Sequence, residues 1–133
     1  MGTIGPTGGK TFIIEHPTDA ERYLVHGCLE GPEFGIYYRG IGVIEDGLES
    51  VGIQLPNYVE KIGTEFTVQI TPIFSGQRRK DAHEATEVQH GAFVVYGPPG
   101  RFYWHVYAKR SSVEVEPLRR NVEVKGSGPY RWM

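Results

Sequence analysis

Phe102-Tyr103-Trp104-His105-Val106-Tyr107-Ala108-Lys109-Arg110 is the stretch on which the fold class turns. Side chains of a β-strand alternate between two faces. Here Phe102, Trp104, Val106 and Ala108 fall on one face, and Tyr103, His105, Tyr107 and Lys109 on the other. The first set has the makings of a core surface. The second is aromatic as well, which predicts that it is covered in turn, by another subunit. A helix would scatter both sets around its axis, so the period selects a strand.

The same period recurs on either side. Glu65 to Ile73 places Phe66, Val68 and Ile70 against Thr67, Gln69 and Thr71, and Val51, Ile53 and Leu55 alternate with Gly52 and Gln54. Ala92 to Tyr96 is a short strand ended by Gly97-Pro98-Pro99-Gly100. Phe34 to Gly40 and Ile41 to Glu45 read as a strand pair or as one bent strand, with bulges or close backbone approach at Gly35, Gly40 and Gly42. Asp46-Gly47 carries the signal of a tight hairpin with Ser50–Leu55 as partner. Thr11–Glu15 and Tyr23–Cys28 are two more strands, separated by His16-Pro17 and a polar turn that Thr18 or Asp19 caps. Ser75 to Gln89 is a long polar loop that resumes strand near Ala85–Val88. Val113 with Val115 and Val122 with Val124 repeat the alternation near the end. Only Pro56 to Gly63, with proline first and glycine last, has the asymmetry of a helix, and it is long enough for a two-turn connector.

The 133 residues suffice for one core but not two. Eighteen glycines, about twice the usual ~7%, oppose long helices and favour short strands with tight turns. The formal charge of −2 gives no electrostatic reason for nucleic acid or an anionic membrane as partner, and no apolar run approaches the ~20 residues of a membrane span. No basic-then-apolar leader opens the chain, which reads as the end of a longer fibre or a virion component. Cys28 is the only cysteine. It excludes an internal disulfide, and its apolar neighbours predict a small buried hydrophobe rather than a nucleophile.

Residues 1–9 contain glycine at positions 2, 5 and 8, with Pro6 in the second place of its triplet. Only glycine fits the axis where three polyproline-II chains meet. The period therefore reads either as the last triplets of a collagen-like stalk or as a Gly-rich leader. Residues 10–133 form the single head domain.

Candidate chemistry is sparse. His16, Asp19, His26 and Glu30 match no zinc spacing and read as a structural polar cluster. Gly97–Gly100 is too proline-bound to cradle phosphate, and Arg78-Arg79-Lys80 reads as a solvated charge run. No nucleophile elbow, dinucleotide fingerprint or phosphate loop is present. The reading is therefore non-enzymatic, with no catalytic residue, cofactor or metal. What stands out is aromatic rings beside guanidinium groups: Tyr37, Tyr38 and Arg39, the outer set Tyr103, His105 and Tyr107, and Tyr130, Arg131 and Trp132. Tyrosine, tryptophan and arginine are enriched at interfaces, and aromatic faces also pack on sugar rings.

The opening Lys10-Thr11-Phe12-Ile13-Ile14-Glu15-His16-Pro17, with Asp19 and Tyr23-Leu24-Val25-His26, resembles the start of C-terminal head domains from tail-fibre-like or collagen-like appendage proteins of bacteria and large DNA viruses. Leu55-Pro56-Asn57-Tyr58-Val59-Glu60 looks like their connector, and Phe66–Thr71 like their central strand. The likeness runs from Lys10 to Trp132. It implies a trimeric head at the end of a fibre, on a cell or virion surface, serving trimerisation and adhesion or receptor display. It brings no set of ligand-contacting residues. The long helices of a self-cleaving fibre chaperone are missing, which argues against autoproteolysis.

The expectation is thus an all-β, antiparallel sandwich or barrel-like head with one short connector helix, assembling as a homotrimer and facing a surface glycan or protein receptor. Its first rival is a carbohydrate-recognition module, marked by an exposed groove with aromatic and amide or carboxylate groups. A small hydrolase or isomerase on a β-scaffold ranks last and requires converging titratable groups in a pocket.

Overall fold

The computed structural model describes residues 3–4, 10–29, 31–111 and 115–127. They form nine strands in three antiparallel sheets. The strands are β1 (Thr3–Ile4), β2 (Lys10–Glu15), β3 (Tyr23–Gly27), β4 (Phe34–Ile44), β5 (Ser50–Gln54), β6 (Thr64–Pro72), β7 (Glu84–Ala85), β8 (Ala92–Tyr96) and β9 (Gly100–Ser111). The N-terminal sheet has the order β1-β2-β3, the central sheet β4-β9-β6 and the third sheet β5-β8-β7. No barrel closes.

The central and third sheets face one another, and the core lies between them. Ile36 and Ile44 of β4 and Phe102, Val106 and Ala108 of β9 meet Phe93 and Val95 of β8, with Leu55 and Val59 closing one side. Trp104 packs its edge on Phe93 at 5.7 Å. These are the inward residues that the period assigned to β9. The chain crosses between the two sheets repeatedly: β4 in the first, β5 in the second, β6 back in the first, β7 and β8 in the second, β9 in the first. Each crossing strand brings one apolar face to the shared interior, so the whole interior depends on strands distant in sequence.

This weave explains a misreading at Asp46-Gly47. The turn exists, with Leu48 N–H donating to the Glu45 carbonyl at 3.1 Å and Gly47 at φ 84°. The strand that follows does not return beside β4. It pairs with β8, Ser50 opposite Tyr96 through Gln54 opposite Ala92. Turn chemistry specifies a reversal, but burial decides which sheet takes the next strand. Phe34–Ile44 is one continuous strand, bulged at Phe34/Gly35 and paired with β9 along its length.

Close approach explains the β4 glycines at 40 and 42. Gly40 lies opposite Trp104 and Gly42 opposite Phe102. A Cβ at Gly40 would stand 2.9 Å from three Trp104 ring atoms, and one at Gly42 would enter the Phe102 ring. The rings of β9 therefore lie over bare backbone of β4, a pairing in which an aromatic covers a glycine.

Several local expectations shrink in the folded chain. The connector helix α1 is a single turn, Val59–Ile62, because Pro56 to Tyr58 form a turn whose Pro56 carbonyl accepts from Val59 N–H. Val59 is fully buried, so even this connector contributes to the core. Residues 18–22 keep to the polar turn expected there. The Asp19 carboxylate accepts from Glu21 N–H at 2.9 Å and pairs with Arg22 at 3.1 Å. β7 stops at Ala85, after which the Thr86 hydroxyl takes the place of a ladder acceptor for Val94 N–H at 2.9 Å. Val122 and Val124 are in no strand; a 3₁₀ turn at Arg119–Asn121 precedes them. Residues 112–114 lie outside the described set, and so do Val113 and its part of that alternation.

Cys28 is exposed, contrary to the expectation of burial. It follows the last residue of β3, where the alternation that buries Leu24 has ended.

Candidate binding surface

The register of the central sheet places three residues side by side in each row of its outer face. Ile41, Tyr103 and Thr71 form one row; Arg39, His105 and Gln69 the next; Tyr37, Tyr107 and Thr67 a third. Beyond the first row, Val43 stands opposite Arg101. β9 occupies the middle of the sheet, so its aromatic residues run down the centre with polar groups of β6 on one flank and mixed groups of β4 on the other. A groove of about 680 Å³ crosses the first two rows, bordered by Arg39, Ile41, Gln69, Thr71, Tyr103 and His105.

The aromatic groups here differ in availability. Tyr37 and His105 stack at 5.9 Å with 5° between their planes, and His105 stacks on Tyr107 at 6.3 Å and 13°. Tyr103 has no ring partner among the described residues and is 53% exposed. Lys109, at the far end, pairs with Glu65 at 3.5 Å. Among the described residues no carboxylate borders the groove, whereas Arg39 does and Arg101 lies one row beyond Tyr103. A chain with net charge −2 thus carries a locally cationic face.

Of the residues singled out from sequence, Tyr37, Arg39, Tyr103, His105 and Tyr107 come together on this face. Tyr38 does not. Its odd–even parity turns it inward, where its hydroxyl donates to the Tyr58 hydroxyl at 3.5 Å and lies 3.5 Å from His26 Nε2. Burial, reinforced by the bond to Tyr58, raises the Tyr38 pKa and keeps this hydroxyl protonated. Tyr130, Arg131 and Trp132 lie outside the described residues. Ile41, Gln69, Thr71 and Arg101 were not singled out. Gln69 and Thr71 were legible as the polar side of their strand, but only the register with β9 shows what they stand beside.

The polar cluster divides. His16 and His26 flank Tyr58, His16 edge-on at 5.2 Å and His26 tilted at 6.3 Å. His16 Nδ1 accepts from Thr18 N–H at 3.2 Å, and the Thr18 hydroxyl donates to Asn57 at 3.4 Å. These contacts dock the N-terminal sheet onto the connector. Burial lowers the His26 pKa, and the nearby Arg110 guanidinium lowers it further. Asp19 belongs to its own turn, and Glu30 lies outside the described residues. No group of three metal-ligating side chains occurs among the described residues.

Arg79 departs from the solvated reading of its charge run. It donates to the carbonyls of Arg101 and Ile73, both at 3.4 Å, and lies over Gly100. His83 packs on Phe102 at 5.8 Å, and neither ring nitrogen has a partner in hydrogen-bonding geometry among the described residues. Burial lowers its pKa, Arg79 lowers it again, and the Pro98 backbone opposes both. These two side chains fasten the 73–83 loop to the start of β9. Arg78 and Lys80 remain exposed.

A second cleft of about 660 Å³ lies where the N-terminal sheet meets the β4 edge, bordered by Ile13, His26, Cys28, Tyr38, Arg39 and Arg110. Comparison with family models, curated proteins and solved structures gives no match to this chain.

Proposed function

We propose that this chain is the trimeric C-terminal tip domain of a surface or virion fibre, a non-enzymatic unit that joins three copies and displays a binding face. The observation that carries the reading is the N-terminal sheet. In β2 and β3, Ile13 stands opposite Val25 and Glu15 opposite Tyr23. Leu24, on the other face, is buried, while Ile13, Tyr23 and Val25 remain 47%, 67% and 55% exposed. A contiguous apolar sheet face left to water is an association surface. Sister copies are the occupants we assign to this face; residues 3–4 of the glycine-periodic leader are themselves a strand of the sheet, Thr3 opposite Thr11 and Ile4 opposite Lys10, so the assignment rests on the exposed face and not on a stalk. The resemblance of the opening segment to fibre heads points the same way.

Sedimentation of the full chain tests this. The expected species has three times the 14.9 kDa chain mass, and Val25→Asp converts it to monomer without loss of strand signal in circular dichroism. A monomeric wild-type chain at micromolar concentration would sink the reading.

The carbohydrate-recognition alternative has one specific observation in its favour: an exposed groove with an aromatic ring and an amide, at Tyr103 and Gln69. It is compatible with assembly, because the groove and the N-terminal sheet are separate surfaces.

A further inference from the structure

We infer that the outer face of the central sheet binds an acidic sugar, one bearing a carboxylate, with Tyr103 as the stacking platform and Arg39 as the carboxylate partner. The inference rests on the display reading and gives it a ligand class.

The argument begins with what the groove offers. A pyranose has an apolar C–H face and a rim of hydroxyls. Its apolar face needs one open aromatic ring, and its hydroxyls need planar groups that can donate and accept at neighbouring positions. Tyr103 is that ring, unstacked and half exposed. Beside it in the register stand Thr71 and, one row on, Gln69, His105 and Arg39. An amide both donates and accepts, an imidazole does likewise in its neutral form, and a hydroxyl does either. The groove therefore matches a polyhydroxylated ring better than a wholly apolar ligand, for which Gln69 and Arg39 would have to lose water without replacement.

Charge selects the subclass. Arg39 and Arg101 flank the Tyr103 row from both sides, and among the described residues no carboxylate borders the groove to neutralise them. Guanidinium binds carboxylate through two parallel hydrogen bonds, about twice as strong as neutral ones. Neutral sugars would leave that capacity unused.

A single-stranded nucleic acid is the other anion with flat rings. It needs successive platforms and a continuous basic track. Here Tyr37, His105 and Tyr107 stack on one another, Tyr103 is the ring of this face without a ring partner among the described residues, and two guanidiniums, Arg39 and Arg101, flank its row. The geometry favours one sugar residue over a run of bases.

The test measures binding of the full chain to immobilised sialyllactose, a glucuronate oligosaccharide, neutral lactose and an oligothymidylate, with sedimentation run on the same samples. At least one acidic sugar is expected to bind, with lactose at least tenfold weaker. Tyr103→Ala should reduce that binding at least tenfold, and Arg39→Gln should bring the acidic sugar down to the lactose level. Both side chains are on the outer face, so the core stays intact; a melting curve for each variant checks this. No acidic-sugar binding by a trimeric chain overturns the inference and leaves the assembly reading standing. Acidic-sugar binding by a monomer supports the site and removes the assembly. Binding that survives Tyr103→Ala, or an oligothymidylate that binds more tightly than every sugar, overturns it.

Discussion

The N-terminal sheet and the two-sheet body follow the same strand chemistry to different ends. In the body, seven large side chains are fully buried, drawn from β4, β8, β9, the connector and the residue before it. Among the described side chains of the N-terminal sheet, from Ile13 on, only Leu24 is buried. Both have apolar residues at alternate positions. The difference is a second layer: the central sheet has the third sheet against its inner face, whereas the described side-chain contacts of β1–β3 with the body run through Tyr58, Tyr38 and Asn57. Alternation makes a strand able to bury a face, and stability waits on something to bury it against. The body completes itself within one chain; the N-terminal sheet is left with an open side.

The contrast can be broken first at the core. Phe102→Ala removes a fully buried ring shared by both sheets and should cost about 3–5 kcal/mol in urea unfolding. Ile13→Ala, on the open face of the N-terminal sheet, should change the unfolding of a monomeric background by less than about 0.5 kcal/mol. Equal costs would mean the N-terminal sheet is as well packed as the body. Gly42→Ala should come next, destabilising by about 1–3 kcal/mol, since its methyl group enters the Phe102 ring. Gly52→Ala, with open space around it, is the control for strand glycines.

Smaller effects should be confined to the junction. Tyr58→Ala removes the ring between His16 and His26. Amides of β2 and β3 should then exchange faster while those of β8 and β9 keep their protection; uniform loss would show that the two regions unfold as one. The last expectation concerns pH. The folded His26 pKa lies below the ordinary 6.5, so the unfolded chain takes up a proton first. Its contribution is whole above pH 6.5 and declines as pH falls toward the lowered value. His83 acts in the same sense within the body. Protection factors of the β2 and β3 amides, with exchange referred to the intrinsic rate at each pH, should fall as pH drops from 7.5 to 5, and His26→Gln should flatten that dependence while leaving the His83 part.

The sequence was most readable where a strand is long and its two faces differ chemically. β6, β8 and β9 fall at the residues the alternation indicates, and the inner side of β9 is the one inferred. Reading stopped at pairing. Asp46-Gly47 announces a turn but cannot say that Ser50–Gln54 joins β8 instead of β4. Cys28 looked apolar from its neighbours, yet the strand that would have turned it inward ends one residue earlier. The candidate binding face was half legible. Tyr37, Arg39, Tyr103, His105 and Tyr107 were found by residue type, and parity alone would have separated Tyr38 from them. Thr71 and Gln69 acquire meaning only from the register that sets them beside Tyr103 and His105.

The paired glycines of β4 have one more consequence. With Gly40 and Gly42 bare beneath Trp104 and Phe102, the middle of this strand projects side chains in one direction only. Positions 39, 41 and 43 are thus insulated from the interior by a layer of backbone and ring. New letters at those three places would redraw the chemistry of this outer face while leaving the architecture beneath indifferent, so the face can drift at little cost to folding.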